Sequence, residues 1–280
     1  MKKQFIFLTA ILLFLLFNAC RKNDNTDEVS PNVPDSTSIT NSLGTMPSVF
    51  EQRVLIEELT GEWCPGCVNG AHILQSIKDS AINGGKVDVV SIHDVDWLEI
   101  VKYDTVRFHY WQAMFGFPCA TVGRVVQPST GTYYVDYTKW QSNVTSRLAE
   151  THDLGIALIS KLENDSGRVE VHIGHNSHIN DNLRLTIFVT EDNVLAQNQL
   201  GSVGNFFHQQ VVRLMPTNAL GDDITFTSTE TVMSYSFPVV GYKLSDLKIV
   251  AMVSSWNYNP IQSKIWNSRT VKFGQIAKWK

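Results

Sequence analysis

Val54-Leu55-Ile56-Glu57-Glu58-Leu59-Thr60-Gly61-Glu62-Trp63-Cys64-Pro65-Gly66-Cys67 is the stretch on which the reading of the fold turns. Its first six residues are β-branched and apolar at the start, the pattern of a buried strand. Past Cys67, Ala71, Leu74, Ile77 and Ala81 recur at three- and four-residue spacing, which predicts an amphipathic helix. The order is therefore strand, turn, helix. Asn83-Gly84-Gly85 ends the helix and Val87 to Ile92 predicts a second strand. A helix near Asp104 to Phe115, the segment Phe117-Pro118-Cys119-Ala120-Thr121-Val122 and a helix near Tyr137 to Ala149 complete a small α/β unit, expected to carry helices on both faces of its sheet.

Past about Thr151 the texture changes to short alternating runs separated by turn residues. Gly155 to Leu162 and Arg168 to Ile173 flank Asn164-Asp165-Ser166-Gly167, a hairpin signal. Leu183 to Thr190, Phe206 to Leu214, Thr231 to Val239, Leu247 to Ser254 and Arg269 to Phe273 are further candidate strands. So many strands with no clear helix predict an antiparallel β-sandwich of immunoglobulin-like build. At 280 residues two domains are expected, 48–150 and 151–280.

The chain holds 23 Lys and Arg against 27 Asp and Glu, a formal charge of −4, which argues against nucleic acid as the main partner. Charged residues make up only 18% and hydrophobic types 43%, so the chain is globular rather than disordered.

Lys2 and Lys3 precede a largely apolar run from Phe5 to Phe17 that stops at Asn18-Ala19-Cys20. Such a run is too short for a membrane-spanning helix, which needs about 20 residues. It reads as a bacterial secretory signal over residues 1–19. Cys20 directly after Ala19 resembles the lipobox of bacterial lipoproteins, which implies acylation of Cys20; a plain signal peptide is the alternative. Residues 20–47 are rich in Ser, Thr, Asn and Asp and poor in large apolar side chains, as expected of a disordered tether.

Two cysteines spaced C-x-x-C near a helix start have a chemical consequence. Unpaired N–H groups and the helix dipole favour a thiolate on the first, and the second can attack a mixed disulfide formed on it. Zinc ribbons use the same spacing but need a second such pair, which is absent from this sequence. Glu62-Trp63-Cys64-Pro65-Gly66-Cys67 resembles the thioredoxin active-site segment, and the resemblance implies an α/β thioredoxin-like domain. It also implies a cis peptide at Phe117-Pro118 facing the cysteines, with Trp63, Phe117 and Pro118 shaping a substrate groove. Glu58, six residues before Cys64, falls where thioredoxins carry a buried acid that moves protons for the second cysteine. The order Pro65-Gly66 and the Glu at 58 depart from that pattern.

The mature chain is also similar to thioredoxin-like outer-membrane lipoproteins related to a twenty-eight-kilodalton outer membrane protein. Leu55 to Gly61, Leu185 to Asn193 and His208 to Arg213 carry that resemblance. It implies an envelope protein of the outer membrane. The expected partners are the membrane, through the lipid anchor, and envelope thiols or disulfides, and no cofactor and no metal are expected. The expected function is thiol-disulfide exchange, with Cys64 as nucleophile, Cys67 as resolving thiol and Glu58 as proton acceptor. The alternative is a non-enzymatic surface or outer-membrane binding protein that uses both domains as a scaffold.

Blander readings stand beside these. The cysteine pair can be a structural staple, Trp63 a packing aromatic and Glu58 a solvated carboxylate beside an equally charged Glu57. His93, Asp94 and Asp96 read as a polar loop, His172, His175 and His178 as a loose cluster, Trp256 to Pro260 as an aromatic loop at a core edge, and Cys119 as a buried filler.

Overall fold

Strand β1 (Val54–Thr60) is buried along its whole length, and so is β2 (Val87–His93), which pairs with it in parallel from Val54↔Val87 to Thr60↔His93. Helix α1 (Cys67–Asp79) and a short 3-10 turn at Ala81–Asn83 connect them. Gly84 and Gly85, both at positive φ, turn the chain into β2. On the other edge of β1 lies β3 (Cys119–Val122), antiparallel, with β4 (Tyr134–Val135) beyond it, and helix α2 (Trp140–Leu148) follows. The structure is a computed structural model, and it describes residues 43–280 except 103, 107–115, 152, 164, 178, 260 and 261. The signal segment 1–19, Cys20, most of the tether, His178 and most of the helix expected near Asp104 to Phe115 lie outside the described residues.

The second half contributes β5 (Leu154–Glu163), β6 (Ser166–His175), β7 (Leu183–Glu191), β8 (Val194–Leu195), β9 (Phe207–His208), β10 (Val211–Leu214) and β11 (Asp222–Asp223). It ends with β12 (Glu230–Pro238), β13 (Leu247–Ser255), β14 (Ile265–Lys272) and β15 (Ile276–Ala277). Among the described residues a nine-stranded mixed sheet runs β14-β13-β7-β10-β2-β1-β3-β4, with β11 paired to β7. A second sheet runs β12-β6-β5-β15, and β8 pairs with β9 alone.

This arrangement overturns the expectation of an α/β thioredoxin-like domain followed by a separate immunoglobulin-like sandwich. The protein is mostly β, and strands of both halves form one sheet. The joint is β10, which pairs in parallel with β2 at Val211↔Ser91, where the Ser91 N–H donates to the Gln210 carbonyl at 2.9 Å. A buried strand such as β2 needs partners for the backbone groups on both edges, and the second half supplies one of them.

Side-chain alternation explains how one sheet carries three cores. Val54 and Ile56 face α1 and α2, together with Leu74, Ile77, Trp140 and Val144. Helices α1 and α2 therefore cover the same face, while Val106 of the helical residues 104–106 packs with Leu55 and Leu59 on the opposite one. Leu55 and Leu59 face the other way, into a core shared with Phe188, Val212, Val250 and Met252 of the second half. The intervening residues Ile187, Val189, Ile249 and Ala251 pack against Leu158, Val169, Val171 and Ile173 of the four-stranded sheet. One face of the large sheet thus carries helices at one end and a second sheet at the other.

Asp88 ties β2 to β14. Its carboxylate accepts from Arg53 at 3.0 and 2.8 Å, from Ser268 Oγ at 2.8 Å and from Thr270 Oγ1 at 2.7 Å. Burial works against its charge, but Arg53 and the two hydroxyls outweigh that and hold the carboxyl below its usual range.

Candidate functional site

At the end of β1 the chain turns at Gly61, and the Cys64 N–H donates to the Gly61 carbonyl at 3.0 Å. Cys64 and Cys67 are joined as a disulfide, with Cα atoms 5.4 Å apart. Helix α1 starts at Cys67 with Gly66 as its cap, so Cys64 precedes the helix. The Cys67 N–H donates to the Cys64 carbonyl at 3.2 Å.

The Phe117-Pro118 peptide is cis, and α1 lies directly on Pro118. A β-carbon at Gly70 would sit 2.9 Å from Pro118 Cβ and one at Gly66 3.3 Å from Pro118 Cδ, so glycine at 70 permits the contact. The half-exposed Trp63 meets Phe117 edge-on, ring centroids 4.9 Å apart, and its Nε1 donates to the Asp94 carbonyl at 2.7 Å. Trp63, Phe117 and Pro118 are thus brought together beside the cysteines. A cleft of about 350 Å³ is lined by Phe117, Pro118, Cys119, Tyr134 and Tyr137, without Trp63.

Glu58 is buried, in place of the solvated carboxylate that the blander reading of the sequence allowed. Ser91 Oγ donates to its Oε2 at 2.7 Å, while Oε1 has no hydrogen-bond partner among the described residues. Burial pushes the carboxyl up to about 7, against the Ser91 bond, which favours the charge. Glu57, one residue earlier on the opposite face, is buried as well, and its partners are Arg124 and Thr121. Cys119 is a buried free thiol, pushed up to about 12 by burial and by the neighbouring Glu58.

Several residues at the site carried no role in the sequence reading. Ser91, Phe206 and His208 among them line, with Glu58, Cys67 and Leu74, one cleft of about 280 Å³. His208 reaches it because the run Phe206 to Leu214, expected as one strand, breaks at Gln210. There φ is +53°, and the Gln210 N–H donates to Asp192 Oδ1 at 3.0 Å. The break sends β9 to β8 and β10 to β2. Burial, with His93 nearby, lowers His208 to about 4, so its ring is neutral near neutral pH. Its ring stands edge-on to His93, centroids 4.6 Å apart, and His93 Nδ1 lies 2.7 Å from Asp96 Oδ2. Among the described residues no three His, Cys, Asp or Glu side chains converge as a metal-holding group.

The other weighed residues lie apart from this cluster. His172 pairs with Glu230 at 2.7 Å, and His175 bonds backbone carbonyls. Arg184 lies over the Trp256 ring at 3.7 Å, and Tyr258 is exposed.

Fold and site together define a β-rich protein that carries a disulfide-closed C-x-x-C turn at a sheet end, roofed by its own second half. Residues 107–269 match the family described as outer membrane protein Omp28. That is more than half of the chain, which belongs to this family and so to the bacterial outer membrane or envelope. The matched region begins after Cys67 and leaves the cysteine pair outside it. Among solved structures the chain is similar in fold to HBP35 of Porphyromonas gingivalis, at 19% identity and a TM-score of 0.72, over 82% of this chain and 77% of that one. Comparison with curated proteins returns no match.

Proposed function

We propose that this envelope protein exchanges thiols and disulfides through Cys64 and Cys67. The observation that carries the reading is that Cys67 and Glu58, whose Oε1 has no hydrogen-bond partner among the described residues, line one cleft. A carboxyl near 7 is partly ionised at neutral pH and suits both taking and returning a proton. Starting from the reduced pair, the Cys64 thiolate attacks one sulfur of a partner disulfide. A Cys64–partner disulfide forms and the partner's other sulfur leaves as a thiolate. Cys67 gives its proton to Glu58, and its thiolate attacks Cys64 Sγ. The Cys64–Cys67 bond forms, the mixed disulfide breaks, and the second partner sulfur departs as a thiolate that takes up the proton. Two electrons pass to the partner, and the reverse sequence oxidises a partner dithiol.

Cys67→Ser removes the resolving thiol, so partners are expected to accumulate as mixed disulfides on Cys64. Non-reducing gels followed by peptide mapping read this out. An empty gel under conditions that trap a known oxidoreductase favours the second reading, a non-enzymatic binding protein. One observation supports that second reading: Cys64 is only 3% exposed.

For attachment, the proposed anchor is an acylated Cys20, supported by the signal architecture of residues 1–19. One acyl chain alone anchors weakly, so several are implied. Cys20→Ser is expected to move the protein from the membrane to the soluble fraction. An unmodified mature N-terminus elsewhere, seen by mass spectrometry, would refute the anchor.

A further inference from the structure

Between β8 and β9 the chain forms a loop, residues 196–206, closed at its base by the Ala196 N–H donating to the Phe206 carbonyl at 2.9 Å. The loop lies on the Cys64-Pro65 turn. The Glu62 carboxylate accepts the backbone N–H groups of Gln197 at 2.9 Å and Asn198 at 3.1 Å. The Glu62 carbonyl accepts from the Leu200 N–H at 2.8 Å, and Gln199 Nε2 donates to the Cys64 carbonyl at 3.0 Å. At Gly201, φ +82°, the loop comes so close that a β-carbon would sit 2.6 Å from the Pro65 carbonyl oxygen. Trp97 Nε1 donates to the same Glu62 carboxylate, at Oε1, at 2.9 Å.

These contacts have a consequence for access. A thiolate displaces one sulfur of a disulfide by reaching the other, so an incoming partner needs an open approach to Cys64 Sγ. Cys64 is buried, and the loop packs on its carbonyl and on Pro65. The loop itself is lightly held: Val203 at its tip is fully exposed, Leu200 is partly exposed, and most of its seats are single hydrogen bonds to Glu62 and Cys64. Segments held by a handful of hydrogen bonds open more readily than a core strand. Two of the seats, the Cys64 carbonyl and Pro65, belong to the small ring that the disulfide closes, so a reduced pair is expected to seat the loop less firmly.

We propose that residues 196–206 form a cap over the Cys64–Cys67 disulfide, latched by Glu62, and that the pair meets a protein partner only when the cap lifts. The purpose of the cap rests on the exchange reading above; its existence does not. Glu62 is a positioning residue in this scheme and takes no part in bond making.

The test uses the full chain. Hydrogen exchange of the Gln197, Asn198 and Leu200 amides is followed in the oxidised and reduced protein, alongside the rate at which dithiothreitol reduces the Cys64–Cys67 bond. Protection of these amides in the oxidised protein is expected, with faster exchange after reduction. Glu62→Gln weakens a charge-assisted latch, and both the amide exchange and the reduction rate are expected to rise about tenfold. Glu62 is buried, so Gln199→Ala, also at a buried side chain but removing the bond to the Cys64 carbonyl and no charge, serves as a milder second variant, with a rise of a few-fold. Unprotected amides in the oxidised protein, or folded variants reduced at the unmodified rate, overturn the cap. The two proposals separate cleanly. Faster reduction on unlatching, with no partner trapped by Cys67→Ser, keeps the cap and removes the exchange reading. Partners trapped equally by Cys67→Ser with and without Glu62→Gln keep exchange and remove the cap.

Discussion

Arg124→Ala is expected to destabilise the protein by about 3 to 5 kcal/mol, the cost of leaving a buried charge without its counter-ion. Glu57 is 0% exposed and Arg124 3%, and the guanidinium grips the carboxylate through two bonds, at 2.7 Å from Nε and 2.6 Å from Nη2. Thr121 Oγ1 adds a third at 3.0 Å. Once the guanidinium is gone, a carboxylate in the middle of β1 faces the interior with a single hydroxyl. Against a total stability of about 5 to 15 kcal/mol, that loss is large. Urea denaturation of the single variants and of Glu57→Leu with Arg124→Leu measures it. The double variant is expected to recover much of the loss, because removing both charges removes the uncompensated one. A single variant within about 1 kcal/mol of the unmodified protein would show that water or another group reaches Glu57.

Glu58→Gln is expected to act in the opposite direction, and only at higher pH. In the folded protein the Glu58 carboxyl is raised from 4.5 to about 7. A raised carboxyl means that the folded state holds its proton where the unfolded state has released it. The protein is therefore penalised as pH climbs from the unfolded value through the folded one. At about 1.4 kcal/mol per tenfold change in proton affinity, the penalty reaches about 3 kcal/mol above neutral pH. Glutamine keeps an acceptor for Ser91 Oγ and carries no charge. The variant is thus expected to match the unmodified protein near pH 4 and to exceed its stability by up to about 3 kcal/mol near pH 8. Denaturation curves at the two pH values decide it. A stability difference that does not change between them would mean that Glu58 titrates in the folded protein as it does in water.

The neighbouring glutamates show where sequence reading stops. Side by side on one strand, Glu57 and Glu58 look like evidence that charge is tolerated there, and both are buried. They point to opposite faces. Glu57 meets Arg124, 67 positions later in the chain, and Glu58 meets Ser91 on the adjacent strand and a cleft roofed by Phe206 and His208. A sequence displays the charge but not the counter-charge that makes its burial affordable. Arg124 itself lies beyond β3, in a turn with φ +49°, where no local pattern marks it as a partner.

By itself the sequence determined the element types wherever its pattern was strong: the buried strands β1 and β2, the helix after Cys67, and the hairpin of β5 and β6, whose pairing from Leu154↔His175 to Glu163↔Ser166 takes Ser166 and Gly167 of the expected turn into the strand. It also placed a C-x-x-C pair on the turn between strand and helix, and an envelope address. Only the tertiary structure decided that the two halves are one sheet, that α1 and α2 share a face, and that residues 196–206 pack on the turn from Glu62 to Pro65. The reason is physical. Hydrophobic alternation reports which face of a strand is buried, because that depends on side chains along the strand. Which strand lies at its edge depends on backbone N–H and C=O groups that are the same in every residue, and on the shape of cores assembled from distant segments. The pairing of β10 with β2 through a single residue, Val211, is set by the bend at Gln210 and by the packing of Val212 with Val90 and Phe188. No window of sequence around any one of them contains the other two.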